Sequence, residues 1–343
     1  MSLKQYVGLD IHKKSIYAVV IDDNGDLLFK EEFPNEPKSF DKFLSKIDKN
    51  TKIALESCIC WEHVYDYLDT SGFTNLELAN PSRVGLIAKS RKKTDEHDAT
   101  VLAQLARTNM LPLSHAPSKE VRQQRRITRF RASLGRIQNS IKNKIHAILI
   151  REGIVNPYDN LFTNQGLEFL KTLELEWADR YQMDNYIRLI VHTNNQKAKA
   201  EELIKEYVQF QPHAKLLCTI PGIATYSALT ICAELSDTRR FKNARQLTSY
   251  AGLNPSVSQS GETLRTGHIS KQGDCHLRWI LNQCANVAVR NDSHLAKIYH
   301  RLLKKHNHNQ AITAVARKMI TYIFTMIKNN ITYQQLNIHK KAS

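Results

Sequence analysis

Between Ile127 and Ile148 an apolar residue recurs at every third or fourth position: Ile127, Phe130, Leu134, Ile137, Ile141, Ile145 and Ile148. Three heptads of that spacing predict one unbroken amphipathic helix, ~33 Å long at 1.5 Å per residue. A rod of that length spans a small domain, so the chain divides around it, with folded regions before and after. Its other faces carry Arg122, Arg125, Arg126, Arg129, Arg131, Arg136, Lys142 and Lys144, and Glu120 is the only acid before Glu152. A face that is only solvated normally mixes signs, so this one points to a polyanion. The whole chain agrees: 49 Lys and Arg against 33 Asp and Glu give a net charge of +16 and a pI near 9.5. The expected partner class is nucleic acid, with Arg122, Arg125, Arg126 and Arg129 as candidate contacts.

With 343 residues, 42% of them hydrophobic, the chain can bury at least one full core, and two or three domains are expected. No apolar run is long enough to cross a bilayer, and MSLKQYVGLD leads directly into a strand without a signal peptide, so a cytoplasmic protein is expected. Cys58, Cys60, Cys218, Cys232, Cys275 and Cys284 show no paired C-x-x-C spacing and read as reduced thiols. The histidines show no zinc-site spacing.

Residues 1–117 read as a mixed α/β domain. QYVGLDI alternates Val7, Leu9 and Ile11 against Tyr6, Gly8 and Asp10. Ser15 to Ile21 and Leu27 to Phe33 follow as strands around the turn Asp22-Asp23-Asn24-Gly25-Asp26, a hairpin signal. Helices near 39–47 and 62–68 then alternate with strands at 52–55 and 75–79. Asp10 lies near the end of the first strand and Glu56 ends the fourth. In RKKTDEHDAT, Asp95 and Asp98 stand three residues apart at a helix start, on the stripe continued by Leu102 and Leu105. Thr94 or Asp95 could instead be an N-cap and Asp98 a first-turn acid favoured by the helix dipole. Two clustered, half-buried carboxylates repel by about 4 kcal/mol at 4 Å and an effective dielectric near 20, so they need cations or a chemical task. Acids at two strand ends and on one packed helix stand in the order of a ribonuclease H-like nuclease, in which oxygen ligands hold Mg²⁺ or Mn²⁺ for phosphodiester chemistry.

Residues 118–210 form the helical middle. A second helical segment, about 183–208, can pair with the first as a hairpin or with another protomer; periodicity leaves both open. Residues 211–343 open with LLCTIPGIATYSALTICAEL, apolar helix, Pro-Gly, apolar helix. This is a helix-hairpin-helix pattern in which Gly222 permits the turn and the following amides face a phosphate, or else a plain buried hairpin. Ala224 stands where many such hairpins have a second glycine. A polar loop follows, containing Ser256, Ser258 and Ser260, with Arg265, Lys271 and Arg278 nearby, and two apolar helices complete the chain.

LDIHKKSIYAVV, ALES and KSRKKTDEHDATVLAQLART, together with YAGLNP, Ser260-Gly261, Gly267-His268-Ile269-Ser270-Lys271 and Leu277-Arg278, resemble the DEDD transposases of bacterial insertion sequences. That resemblance implies a RuvC-like N-terminal domain whose acids Asp10, Glu56, Asp95 and Asp98 hold magnesium. It implies Ser260 as the nucleophile of a serine-recombinase-like reaction and a coiled-coil region that dimerises the protein. Dimers then form tetramers that combine the acids of one protomer with the serine of another. It further implies excision and insertion of DNA guided by a structured RNA, and a bacterial, nucleoid-associated protein. Arg91, Lys92, Lys93, Gly222, Arg265, Lys271 and Arg278 join the helix arginines as expected nucleic-acid contacts. Two other functions fit the residues: a metal-dependent, structure-selective endonuclease of the Holliday-junction type, and a non-catalytic nucleic-acid-binding protein.

Overall fold

The computed structural model describes residues 4–87, 94–260 and 263–342, with backbone alone at 257–260, 263–266 and 339–342. It divides into two units, Met1–Ala116 and Pro117–Ser343.

The first unit is a five-stranded mixed sheet with helices on its faces. Strands β1 (Tyr6–Ile11), β2 (Ser15–Ile21) and β3 (Leu27–Pro34) run antiparallel, while β4 (Lys52–Glu56) and β5 (Leu76–Ala79) add in parallel, giving the order β3-β2-β1-β4-β5. The β2–β3 turn forms as its sequence predicts. The Asp22 carboxylate accepts the amides of Asn24, Gly25 and Asp26, each at 2.9 Å, and Gly25 takes a φ of +94° that a side chain would resist. Alternation along β1 sorts its side chains. Val7, Leu9 and Ile11 are buried with Phe40 and Phe43 of α1 (Pro37–Leu44) and Val64 and Leu68 of α2 (Trp61–Thr70). Tyr6 and Gly8 lie on the opposite face, against Ala99 and Ala103 of a later helix, Asp95–Arg107. Helix α3 (Pro81–Ile87) precedes that helix, which is α4.

The second unit begins with α5 (Lys119–Arg151), the rod the spacing predicts, and α6 (Asn164–Thr172) leads into α7 (Trp177–Val208). The two long helices pair antiparallel within the chain, as one of the two arrangements left open by periodicity has it. Gln124 donates to the Tyr207 hydroxyl, Arg131 meets Glu201 at 2.5 Å, Gln138 donates to Asn194 and Arg151 pairs with Asp179. These polar rungs explain a departure from the expected seam. Gln124, Thr128 and Gln138 are buried, whereas Phe130 and Ile137 are each 48% exposed. The contact face is rotated off the apolar stripe because hydrogen-bonded polar residues occupy part of it.

Helices α8 (Pro212–Leu217), α9 (Thr225–Leu235), α10 (Ala244–Tyr250), α11 (Cys275–Asn291), α12 (Ser293–Leu303), α13 (His308–Asn329) and α14 (Tyr333–Ala342) complete the unit. Their core centres on Val315, Met319, Ile320 and Ile323 of α13, packed with Leu277, Leu281 and Ala285 of α11. The expected polar loop around Ser260 is a β-hairpin, β6 (Pro255–Ser260) with β7 (Thr263–Ile269), closed by the pair Ser260 and Thr263. Its signal was present in the sequence: the β-branched Val257, Thr263, Thr266 and Ile269 stand on either side of a Gly-Glu dipeptide.

Among the described residues no helix is long and apolar enough to cross a membrane.

Candidate active site

Gly8 positions the acids. A Cβ built on it would lie 1.9 Å from the Ala99 carbonyl oxygen and 2.6 Å from the Ala103 amide nitrogen, so α4 rests directly on the β1 backbone. Small residues at all three positions bring the N-terminal turn of α4 to the end of the strand. Thr94 caps that turn, accepting the His97 amide, so Asp95 is the first helical residue and not the cap. Asp10, two residues beyond Gly8, therefore meets the acids that α4 presents.

His12 sits between them. Its Nε2 lies 3.2 Å from an Asp10 carboxylate oxygen and 3.4 Å from one of Asp95. Ligand atoms of Asp10, His12 and Asp95 all fall within 4.8 Å of one another. Asp10 is well covered, with 14% of its side chain exposed, while Asp95 stays 54% exposed, less inward than its stripe suggested. Burial raises the Asp10 carboxyl above its ordinary value of 3.8; the cationic form of His12 works against this, and the charges of Asp95 and Asp98 raise it further. That mutual influence places Asp98, half-buried on α4, in the same electrostatic cluster. Glu56 is the half-buried last residue of β4. It stands two residues beyond Ala54, which pairs with Gly8 and packs against Leu102 and Ala106 of α4, so alternation puts it on the acid-bearing face, one strand from Asp10.

Hard carboxylate oxygens with one imidazole nitrogen make a donor set suited to a divalent cation, and repulsion among the acids supplies the electrostatic reason to bind one. His12 is the member that sequence reading missed. Metal-site spacing was sought among histidine pairs, whereas the usable signal was Asp10-x-His12, a two-residue period that puts both on one side of a strand end.

The other expected contacts separate into two groups. Arg91, Lys92 and Lys93 lie outside the described residues. Ser260 ends β6, and Arg265 stands opposite Ser258 in β7, both known here from backbone alone. Lys271 is exposed just past β7. Several others have interior tasks. Arg122 is buried at 5%. Arg125 donates to the carbonyls of Ala233 and Glu234, and Arg129 makes a two-pronged contact with the Glu234 carboxylate, both bonds at 2.8 Å. Glu234 is fully buried, so these arginines answer an internal charge instead of lying free on the helix surface. Arg126 remains exposed. Arg278 donates to the Ala251 carbonyl at 3.1 Å and braces the turn before β6. Gly222, at φ +91°, has Cys284 and Ala288 backbone atoms 2.7 Å from where its Cβ would be, so its glycine serves close packing on α11.

A family model for transposases of the DEDD, IS110 type matches residues 7–152, and one described as the transposase IS116/IS110/IS902 family matches residues 214–300. The chain is 24% identical to the transposase for insertion sequence element IS1328 of Yersinia enterocolitica, over 91% of this chain and 93% of that protein. It is 22% identical to the transposase for insertion sequence element IS1111A of Coxiella burnetii, covering 96% and 91%. With the pilin gene-inverting protein of Moraxella lacunata it shares 25% identity over 98% and 99%.

Proposed function

Because the chain belongs to the DEDD insertion-sequence transposases and is a DNA transposase or recombinase, we propose that it moves DNA by exchanging a phosphodiester for a phosphoserine ester, with Ser260 as nucleophile and Asp10, Glu56, Asp95 and Asp98 as holders of Mg²⁺ or Mn²⁺. The observation that carries the reading is the convergence of Asp10, His12 and Asp95 at the end of β1, with Asp98 in their field.

The chemistry conserves bond energy. The Ser260 hydroxyl oxygen attacks phosphorus, a P–O bond to the serine forms, and one P–O bond to a sugar breaks, leaving a free sugar hydroxyl. That hydroxyl, or one on another strand, reverses the step without an energy source, which suits a recombinase better than hydrolysis. Magnesium would supply positive charge for the developing phosphorane. Asp10 and Asp95 would hold the ion, with the His12 Nε2 within reach of both carboxylates.

The chain's net charge of +16 supports a polyanionic partner of the nucleic-acid class. The family resemblance supports a structured guide RNA that reads sequence by base pairing. The exposed Phe130 and Ile137 on α5 support assembly with further copies, dimer to tetramer.

A structure-selective endonuclease is the second reading, favoured by the assembly of the acid cluster within one unit. In a reaction with element-end DNA and RNA from the element's flank, wild type should leave a DNA strand attached to protein on a denaturing gel, and Asp98→Asn should leave the substrate intact. Free ends with no attached strand would establish the hydrolase instead.

Metal binding has its own test. A cation that binds only the folded site stabilises it by mass action, so Mg²⁺ at ten times its dissociation constant should stabilise wild type by about 1.4 kcal/mol. Asp10→Asn should melt higher than wild type in chelator and gain less from the metal. Equal metal-induced shifts in the two proteins would remove the acids as the ion's site.

A further inference from the structure

We propose that a cleft at the root of the β6–β7 hairpin grips a DNA phosphate at a distance from the bond under attack; this rests on the reading of the hairpin as the arm that carries Ser260. The cleft has a volume of about 730 Å³ and is walled by the end of the hairpin, the turn behind it, and the end of α12 with the first turns of α13. His268 and Lys271 enter from the hairpin side, His306 and Arg317 from the helical side. No aspartate or glutamate lines it among the described residues. All four side chains are exposed, and none has an ion-pair or hydrogen-bond partner among the described residues. Elsewhere in the same unit arginines find acids: Arg129 has Glu234 and Arg131 has Glu201. Two permanent cations and two imidazoles gathered around one concavity with nothing to neutralise them make an anion site, and polar Gln310 and Thr313 on the same wall suit phosphate oxygens.

The backbone holds the site in place. Lys271 sits at φ +54°, a left-handed conformation that a lysine adopts only when its surroundings impose it. The turn is fixed on both sides: the Ser270 amide donates to the Asn254 carbonyl at 2.8 Å and the Asp274 amide to the Tyr250 carbonyl at 2.9 Å. A Cβ on Gly273 would lie 2.2 Å from the Tyr250 carbonyl oxygen, and one on Gly252 2.5 Å from the Arg278 guanidinium, so both positions need glycine. The start of α13 is not itself the binding element. Asn307 and Gln310 cap it reciprocally, so the side chains around it carry the recognition.

The hairpin also sets a ruler. Five residues separate Pro255 at its root from Ser260 at its tip, about 17 Å of extended chain at ~3.3 Å per residue. One strand of duplex DNA rises ~3.4 Å per phosphate and also turns about the axis, so a straight span of about 17 Å puts the gripped phosphate about three nucleotides from the attacked one.

The test uses the full chain with a fluorescein-labelled, random-sequence DNA duplex, and compares wild type with Arg317→Gln/Lys271→Gln. Loss of two phosphate contacts should flatten the slope of log K against log salt by about 2, with affinity falling uniformly across sequences and the melting temperature unchanged. In a second arm, a single neutral methylphosphonate is walked along the substrate strand. Wild type should lose affinity when it falls about three nucleotides from the reacting bond, and the double variant should be indifferent there. An unchanged salt slope, no interference maximum, or a defect confined to an RNA duplex of the same sequence would each overturn the proposal. Ser260→Ala keeps the two readings apart: it should bind the duplex like wild type, so a binding defect in the cleft variant stands even if no phosphoserine forms.

Discussion

Gly8→Ala is expected to cost about 1–3 kcal/mol of stability and to lower strand-transfer activity by about 100-fold. The added methyl would meet the Ala99 carbonyl oxygen at 1.9 Å, and that atom belongs to the backbone of α4, with no rotamer to yield. The helix must lift from the sheet, carrying Asp95 and Asp98 away from Asp10. An error of about 1 Å in a catalytic constellation is enough for the larger loss. The variant is informative because it changes no acid. Chemical denaturation should show the stability loss, and metal titration should show weakened binding in the fraction that is folded. Full activity with wild-type metal affinity would mean that the approach of α4 to β1 does not set the geometry of the acids.

The second large effect lies in the other unit. Glu234→Ala should destabilise it by about 3 kcal/mol, the lower end for a broken buried pair, because Arg125 is left 18% exposed and Arg129, at 42%, is partly screened by solvent. Glu234 ties the end of α9 to α5 through both arginines, so its loss removes the Arg129 tie and leaves Arg125 held by its bonds to the α9 carbonyls. Burial raises the Glu234 carboxyl above its ordinary 4.5, and the hydrogen bonds from Arg129 only partly oppose this. A raised folded value means that the folded chain holds a proton the unfolded chain releases. Its contribution to stability is complete below pH 4.5 and declines as pH rises through the folded value. Urea unfolding of wild type and Glu234→Gln across that window should show wild type losing ground as pH increases. A cost for Glu234→Ala below about 1 kcal/mol would show that the arginines find water or another acid as readily.

The strands of the first unit were legible because they follow two-residue alternation broken by Gly, Asp and Asn turns, as Asp22 to Asp26 shows, and its helices because their apolar residues recur every three or four positions. The acids were legible as a set: strand ends and a first helical turn are places where a carboxylate must have a reason. His12 was not, because its partnership with Asp95 crosses from strand to helix and only the Gly8 contact brings them together. The α5 seam was misread at Phe130 and Ile137 for a different reason. Periodicity counts apolar residues, and Gln124, Thr128 and Gln138 are buried through hydrogen bonds that no hydrophobic pattern records. The same blindness led Arg125 and Arg129 to be read as surface cations, since Glu234 lies more than a hundred residues away in an otherwise apolar helix. The hairpin bearing Ser260 was hidden by its serines, which read as loop until the β-branched residues Val257, Thr263, Thr266 and Ile269 around them are counted.

The most direct measurement is the chemical identity of the protein–DNA link. Wild type is incubated with element-end DNA, flank RNA and Mg²⁺, digested with protease, and the nucleotide-bearing peptide is sequenced by mass spectrometry. The account predicts a phosphodiester on Ser260, absent in Ser260→Ala and in Asp10→Asn. A link on another residue, or cleavage that proceeds undiminished in Ser260→Ala, would contradict it.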